Sequence, residues 1–232
     1  FSSGYTFDAA STISTANAIF SAGTTTLAGT YSATNTTLSG GTLATGSSPI
    51  TLGTNFTHAG GTLSGSGTVT VTGLASFTAA GNYMVETGSG TTELQGGGVL
   101  SSGCLALDGG RKLLNEGIFN WTGGSLIYLG QNPTGTSVGG ATIINALGAT
   151  FNDAVAGTIN NGSGTNAFNN AGTFQTSFAS GTTTIGVTFN NTGSVQVGTG
   201  GTLNLSGGGT STGGSFTGGG TLQFRSGYTF HA

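Results

Sequence analysis

Strict alternation is clearest in Thr68-Val69-Thr70-Val71-Thr72, where an extended chain puts the valines on one side and the threonines on the other. The same period of two runs through Ile185, Val187 and Phe189, then Val195 and Val197, then Leu203 and Leu205, with Gly or Asn-Gly between the runs. Short β-branched and aromatic runs bounded by such residues predict strands joined by tight turns. Three strands pass before the pattern restarts, which predicts a triangular coil. From Ser11 to Gly60 the pattern is fainter, with Ile13, Ile19, Leu27, Leu38, Leu43, Ile50, Leu52 and Phe56 as inward candidates.

A longer period overlies the short one. Gly40-Gly41-Thr42-Leu43 returns as Gly60-Gly61-Thr62-Leu63, and Gly200-Gly201-Thr202-Leu203 returns as Gly219-Gly220-Thr221-Leu222. The steps of about 20 and about 19 residues fall at the short end of solenoid repeat periods. An apolar-Asn phrase adds a second marker at Leu114-Asn115, Ile144-Asn145, Ile159-Asn160-Asn161, Phe168-Asn169-Asn170 and Phe189-Asn190-Asn191. Asn tolerates the turn geometry of a coil corner, and asparagines stacked there are expected to form a hydrogen-bonded ladder.

The longest period is that of the opening phrase. FSSGYTFDA at 1–9 reappears as FRSGYTFHA at 224–232, so residues 1–223 read as one repeat unit and 224–232 as the start of the next copy. At about 20 residues per coil the unit holds roughly 11 coils, and it advances roughly 53 Å at the spacing of paired strands. The expected fold is an all-β, right-handed parallel β-helix with three short strands per coil. Its handedness comes from the rule for parallel crossovers and from the resemblance described below.

Composition narrows the class further. Forty-eight glycines, 4% charged residues and two prolines exclude ordinary helical folds, and the regular Leu, Val and Phe positions argue against disorder. A net charge of −3 gives no footprint for nucleic acid, and no apolar run is long enough to span a bilayer as a helix. Phe1 is not an initiator, so the chain reads as processed or excerpted from a longer one. The lone Cys104 is expected as a small buried residue beside Leu105 and Leu107.

Candidate chemistry is sparse. Glu86, Glu93, Asp108, Arg111, Lys112 and Glu116 are six of the nine charged residues, with Trp121 and Tyr128 close behind. The 86–128 region is therefore the expected specialised surface, with Arg111 or Lys112 paired to Asp108 or Glu116 as its plainer reading. Gln131-Asn132-Pro133-Thr134-Gly135 predicts a loop protruding from the stack. Asp108-Gly109-Gly110-Arg111-Lys112 is the one candidate for polysaccharide chemistry, and apart from Glu86 and Glu93 no second acidic cluster of the kind such catalysis needs lies about one coil away. His58 and His231 read as isolated, so no metal site and no cofactor are expected. Ice binding through Thr68, Thr70 and Thr72 with Thr182, Thr183 and Thr184 fails for want of a Thr pair in every coil. Asn35, Asn55, Asn120, Asn161, Asn190 and Asn204 lie in Asn-x-Ser/Thr sequons and are candidates for glycan attachment.

The phrases GTLSGSGTVTVTG, FNNAGTF, TTTIGVTFNNTGSV and GGTLNLSGGGTSTGGSF resemble filamentous haemagglutinin and autotransporter-passenger regions of bacterial surface proteins. The resemblance implies a secreted, extracellular or cell-surface β-helix serving as adhesin, fibre or stalk. Two expectations follow. The first is a structural tandem unit of an extracellular filament whose partners are copies of itself stacked end to end through open β-helix edges. The second is an adhesin segment that meets glycans or cell surfaces through the 86–128 region. Neither is an enzyme.

Overall fold

The computed structural model describes residues 1–124 and 126–232, with Ala80 as backbone only. Among these residues the regular structure is strand throughout, and every strand pairing is parallel. Each coil lays down short strands along the three sides of a triangle, and each strand pairs with its equivalent one coil later. The chain is a parallel β-solenoid of about eleven coils.

The three faces are defined by their pairing. Asn55–His58, Ile118–Trp121, Thr150–Asp153, Thr173–Thr176, Ser194–Val197 and Ser215–Gly218 belong to the first face. The second runs from Tyr5–Phe7 through Thr24–Leu27, Thr42–Ala44 and Gly61–Ser64 to Thr221–Phe224. The third runs from Ile50–Thr51 through Thr68–Val71, Arg111–Asn115 and Asn166–Asn170 to Tyr228–His231. Long strands such as Ala75–Thr87 and Gly98–Leu107 bend round the corner between the first and second faces, which joins those two faces into one sheet.

Both sequence periods reappear in this register. Val69 and Val71 point into the core at 0% exposure, and the GGTL phrases stack as Leu43 on Leu63 and Leu203 on Leu222. The coil length varies more than expected, from 18 residues between Thr12 and Thr30 to 32 between Ile118 and Thr150. The longest step contains the loop after Leu126–Leu129, whose exposed part includes Gly135 to Val138. That is the protruding loop the Gln131–Gly135 turn predicts. The core is a continuous axial stack, in which the Phe119, Phe151 and Phe174 rings lie parallel at 4.8 and 5.9 Å. Burial along such a stack contributes about 25 cal/mol per Å² of apolar surface, while coil-to-coil pairing satisfies the backbone.

The asparagine ladder forms on the third face. Asn115 donates to Asn145 at 2.9 Å, Asn145 to Asn170 at 2.8 Å and Asn170 to Asn191 at 2.8 Å. It is confined to four coils. Asn160 and Asn161 belong to the second face, so the Ile159 phrase stays outside it. A separate ladder of Asn17, Asn35 and Asn55 runs up the first face, where Asn35 donates to Asn17 at 2.9 Å and Asn55 to Asn35 at 2.8 Å.

Candidate functional site

The expected surface at 86–128 turns largely inward. Glu86, Asp108, Arg111 and Trp121 all have 0% exposure. Register explains it. Glu86 stacks between Leu63 and Leu107 on the second face, within the run Leu43, Leu63, Glu86, Leu107, Leu129. His58 holds the equivalent place on the first face, between Leu38 and Phe77. Strand alternation therefore aims both polar groups at the axis.

Arg111 enters from the third face and answers this charge. Its Nε lies 3.4 Å from Glu86 Oε2, and its Nη2 donates to Thr92 Oγ1 at 2.7 Å. Thr92 in turn donates to Glu86 Oε2 through a short hydrogen bond. His58 Nδ1 sits 3.8 Å from Glu86 Oε1, too far for a hydrogen bond, so that contact is electrostatic. Gly90 leaves the room the guanidinium uses, since a Cβ there meets Arg111 Nη1 at 2.8 Å. Burial pushes the Glu86 carboxyl up, but the His58 ring, the Arg111 guanidinium and the Thr92 hydroxyl outweigh it and hold the group below the usual carboxylate range. His58 is thus not isolated, and Arg111 pairs with Glu86, not with Asp108 or Glu116. The cluster is sealed from solvent and satisfies most of its own bonds, which fits a structural ion pair.

The other acids have local tasks. Asp108 accepts the amides of Val138 and Gly139 at 2.8 and 2.7 Å and ties down the end of the protruding loop. Asp153 accepts the Val155 and Gly157 amides and the Thr183 hydroxyl at 2.6 Å, so Thr183 faces inward and the Thr182 to Thr184 set is no flat array. Burial nevertheless leaves the Asp153 carboxyl above its ordinary value. Trp121 donates Nε1–H to the Gly124 carbonyl at 2.8 Å.

What remains outside is a small aromatic patch on the second face. Tyr83, Cys104 and Leu126 stack in register there, and so do Val85, Ala106 and Tyr128. The Tyr83 and Tyr128 rings lie 6.2 Å apart, while Val85 and Ala106 are fully buried although they point away from the core. Cys104 is half-buried in this patch, on the opposite side of the strand from Leu105 and Leu107, and its desolvation raises the thiol pKa. The expectation of a core cysteine therefore fails. Alternation puts adjacent residues on opposite faces. Lys112 and Glu116 supply exposed charge with half-buried Glu93 beside them, and burial and then the Glu93 carboxylate raise the Glu116 carboxyl.

Among the described residues no three His, Cys, Asp or Glu side chains converge as metal ligands. A surface groove of about 610 Å³ is shallow and lined by Ser, Thr, Ala and Gly, including Thr15, Thr34 and Thr54. Such a lining offers hydroxyls but no titratable group. Comparison with protein families, with curated proteins and with solved structures gives no match.

Proposed function

We propose that this chain is a structural repeat unit of a longer β-solenoid filament. The observation that carries the proposal is the aromatic phrase, which recurs after 223 residues and lies at both outer coils. Tyr5–Phe7 and Tyr228–His231 are the outermost strands at the two edges, paired with Thr24–Leu27 and Gly209–Thr212. The rings gather at these edges. Phe1 packs on Tyr5, Phe7 and Phe20 at 5.0 to 5.4 Å, and Phe224 packs on Tyr228 and Phe230 at 4.8 and 5.5 Å. Phe230 stays 59% exposed, which suits burial against a following copy.

A sealed ion cluster, shallow grooves and an axial core favour mechanical over catalytic work. We read the filament as extracellular because its sequence is rich in Thr, Ser, Asn and Gly with few charges, and as secreted and bacterial because its phrases resemble filamentous haemagglutinin and autotransporter passengers. Fibre diffraction or cryo-electron microscopy of the native polypeptide tests the reading. A continuous fibre with layers about 4.8 Å apart is expected. Discrete particles with closed ends would overturn it.

A second reading rests on exposed Tyr83 and half-buried Tyr128 side by side, an aromatic platform of the kind that stacks on sugar rings. In this reading the unit is an adhesin segment. Glycan-array binding that is lost in a Tyr83→Ala, Tyr128→Ala protein with unchanged folding would favour it. Trp121 is buried and takes no part.

A further inference from the structure

The repeated phrase lies at two different places on the triangle. Phe1 lies against Phe20 of the first face, with ring centroids 5.0 Å apart, and its carbonyl accepts the Ser21 amide. Tyr5–Phe7 then lies on the second face, in register with Thr25 to Leu27. Phe224, by contrast, pairs with Leu205 on the second face, and Tyr228–His231 lies on the third, in register with Gly209–Thr212. Of the corner's ring contacts, the one between first and last rings repeats, while Phe1–Tyr5 at 5.3 Å and 75° differs from Phe224–Tyr228 at 4.8 Å and 47°. Phe1 meets Phe7 edge-on at 5.4 Å and 87°, and Phe224 meets Phe230 at 5.5 Å and 80°.

Both strands of the phrase have therefore moved by one face, in the same sense. Side-chain parity is kept as well. Tyr5 and Phe7 are in register with buried Thr25 and Leu27, and Tyr228 and Phe230 continue the inward columns Phe189–Gly209 and Asn191–Ser211. A slip of one residue at either end would break that agreement.

Building on the tandem-repeat reading above, we infer that successive covalently joined units are turned about the solenoid axis by one third of a turn. Ten pairings lead along the second face from Tyr5–Phe7 to Thr221–Phe224, and one further strand reaches Tyr228–His231. One unit thus occupies ten coils and one strand. The next copy's Thr25 stacks on Tyr228 as Thr25 stacks on Tyr5, so the third-face column Phe189–Gly209–Tyr228 runs on into the next copy's second-face column Leu43–Leu63. Each unit advances about 50 Å, and three units restore the starting orientation after about 150 Å. Every surface feature, including the loop that ends at Val138, is then displayed on three sides of the fibre in turn.

Separate chains stacked edge on edge give a different symmetry. After Tyr228–His231 on the third face, the Phe1 of a following chain enters on the first, and each chain counts whole coils with no such rotation. The two arrangements share nearly the same axial rise but differ in azimuth.

The test is cryo-electron microscopy of the native fibre and of a two-copy chain, residues 1–223 followed by 1–232, with the protruding loop as the marker. Loops about 50 Å apart, displaced by a third of a turn beyond the twist that accumulates between coils, are expected. Loops aligned on one side of a continuous rod would overturn the rotation while leaving the stacked filament standing. Two solenoids joined by a bend, with no shared ladder, would overturn the stacked filament itself and the rotation with it.

Discussion

Glu86 occupies a place in a leucine column, and its neighbours decide what that costs. An unpaired buried carboxylate is expensive, whereas a paired one roughly offsets its desolvation. Arg111→Leu removes the guanidinium but leaves the carboxylate, so urea unfolding is expected to show a loss of about 3–5 kcal/mol. Glu86→Leu combined with Arg111→Met fills the column with apolar atoms and should recover most of that loss. Acid titration adds a second readout. Because the folded state holds the Glu86 carboxyl below its unfolded value, the stability it supplies is complete above about pH 4.3 and disappears as pH falls through the lower folded-state value. Glu86→Gln should flatten that part of the profile, and an unchanged acid limb would contradict the assignment. Gly157 is a second critical residue, since a Cβ there would stand 2.2 Å from the Trp121 ring. Gly157→Ala is expected to cost about 1–3 kcal/mol through overpacking, visible as a lowered Tm.

Strands and ladders were largely legible in the chain, because period two marks faces and a period near twenty marks coils. Thr68 to Val71 and the stacked GGTL leucines show both. The inward turn of Glu86, His58 and Arg111 was hidden because charge alone reads as surface. The signal that finds Glu86 is positional, its place one coil after Leu63 and one coil before Leu107. Cys104 escaped for a related reason. Adjacency groups it with Leu105 and Leu107, whereas Cys104 to Leu107 is one unbroken run of pairing in which alternation sends Cys104 to the other side. The asparagine ladder was foreseen as a device but not in its extent. Asn145 donates to Asn170 Oδ1 and to the Thr173 carbonyl and accepts from Asn115, all in the buried interior. Asn145→Ala orphans these groups, and a loss of about 3 kcal/mol in chemical unfolding is expected. Asn169 faces outward and accepts only from Asn190 among the same ladder neighbours. Asn169→Ala should cost less than about 1 kcal/mol, and equal losses at the two sites would dismiss the inner ladder as a stabilising element.

At the scale of the molecule, each coil contacts mainly the coils before and after it, so stability approximates a sum of coil and interface contributions. Whole coils should then be removable while fractions of a coil are not. Ser194 and Ser215 are in register, and each follows a glycine, Gly193 or Gly214. Deleting residues 194–214 rejoins Gly193 to Ser215 and restores the local sequence at the junction. Phe216 then descends onto Phe174, and Leu222 onto Thr183, along columns that already exist. The shortened chain loses Val195, Val197, Leu203 and Leu205 from its core and should melt at a lower temperature. It should keep a cooperative transition and an unchanged strand signature by circular dichroism. Deleting 194–203 instead drops Leu205 into the slot of Val195 and carries the following strands from one face towards another, out of line with the columns and corner glycines they normally continue, so a collapsed or aggregated product is expected. If both deletions fold equally well, the register-locked solenoid is not what holds the chain together. If neither folds, neighbouring coils are coupled far more strongly than nearest-neighbour stacking allows.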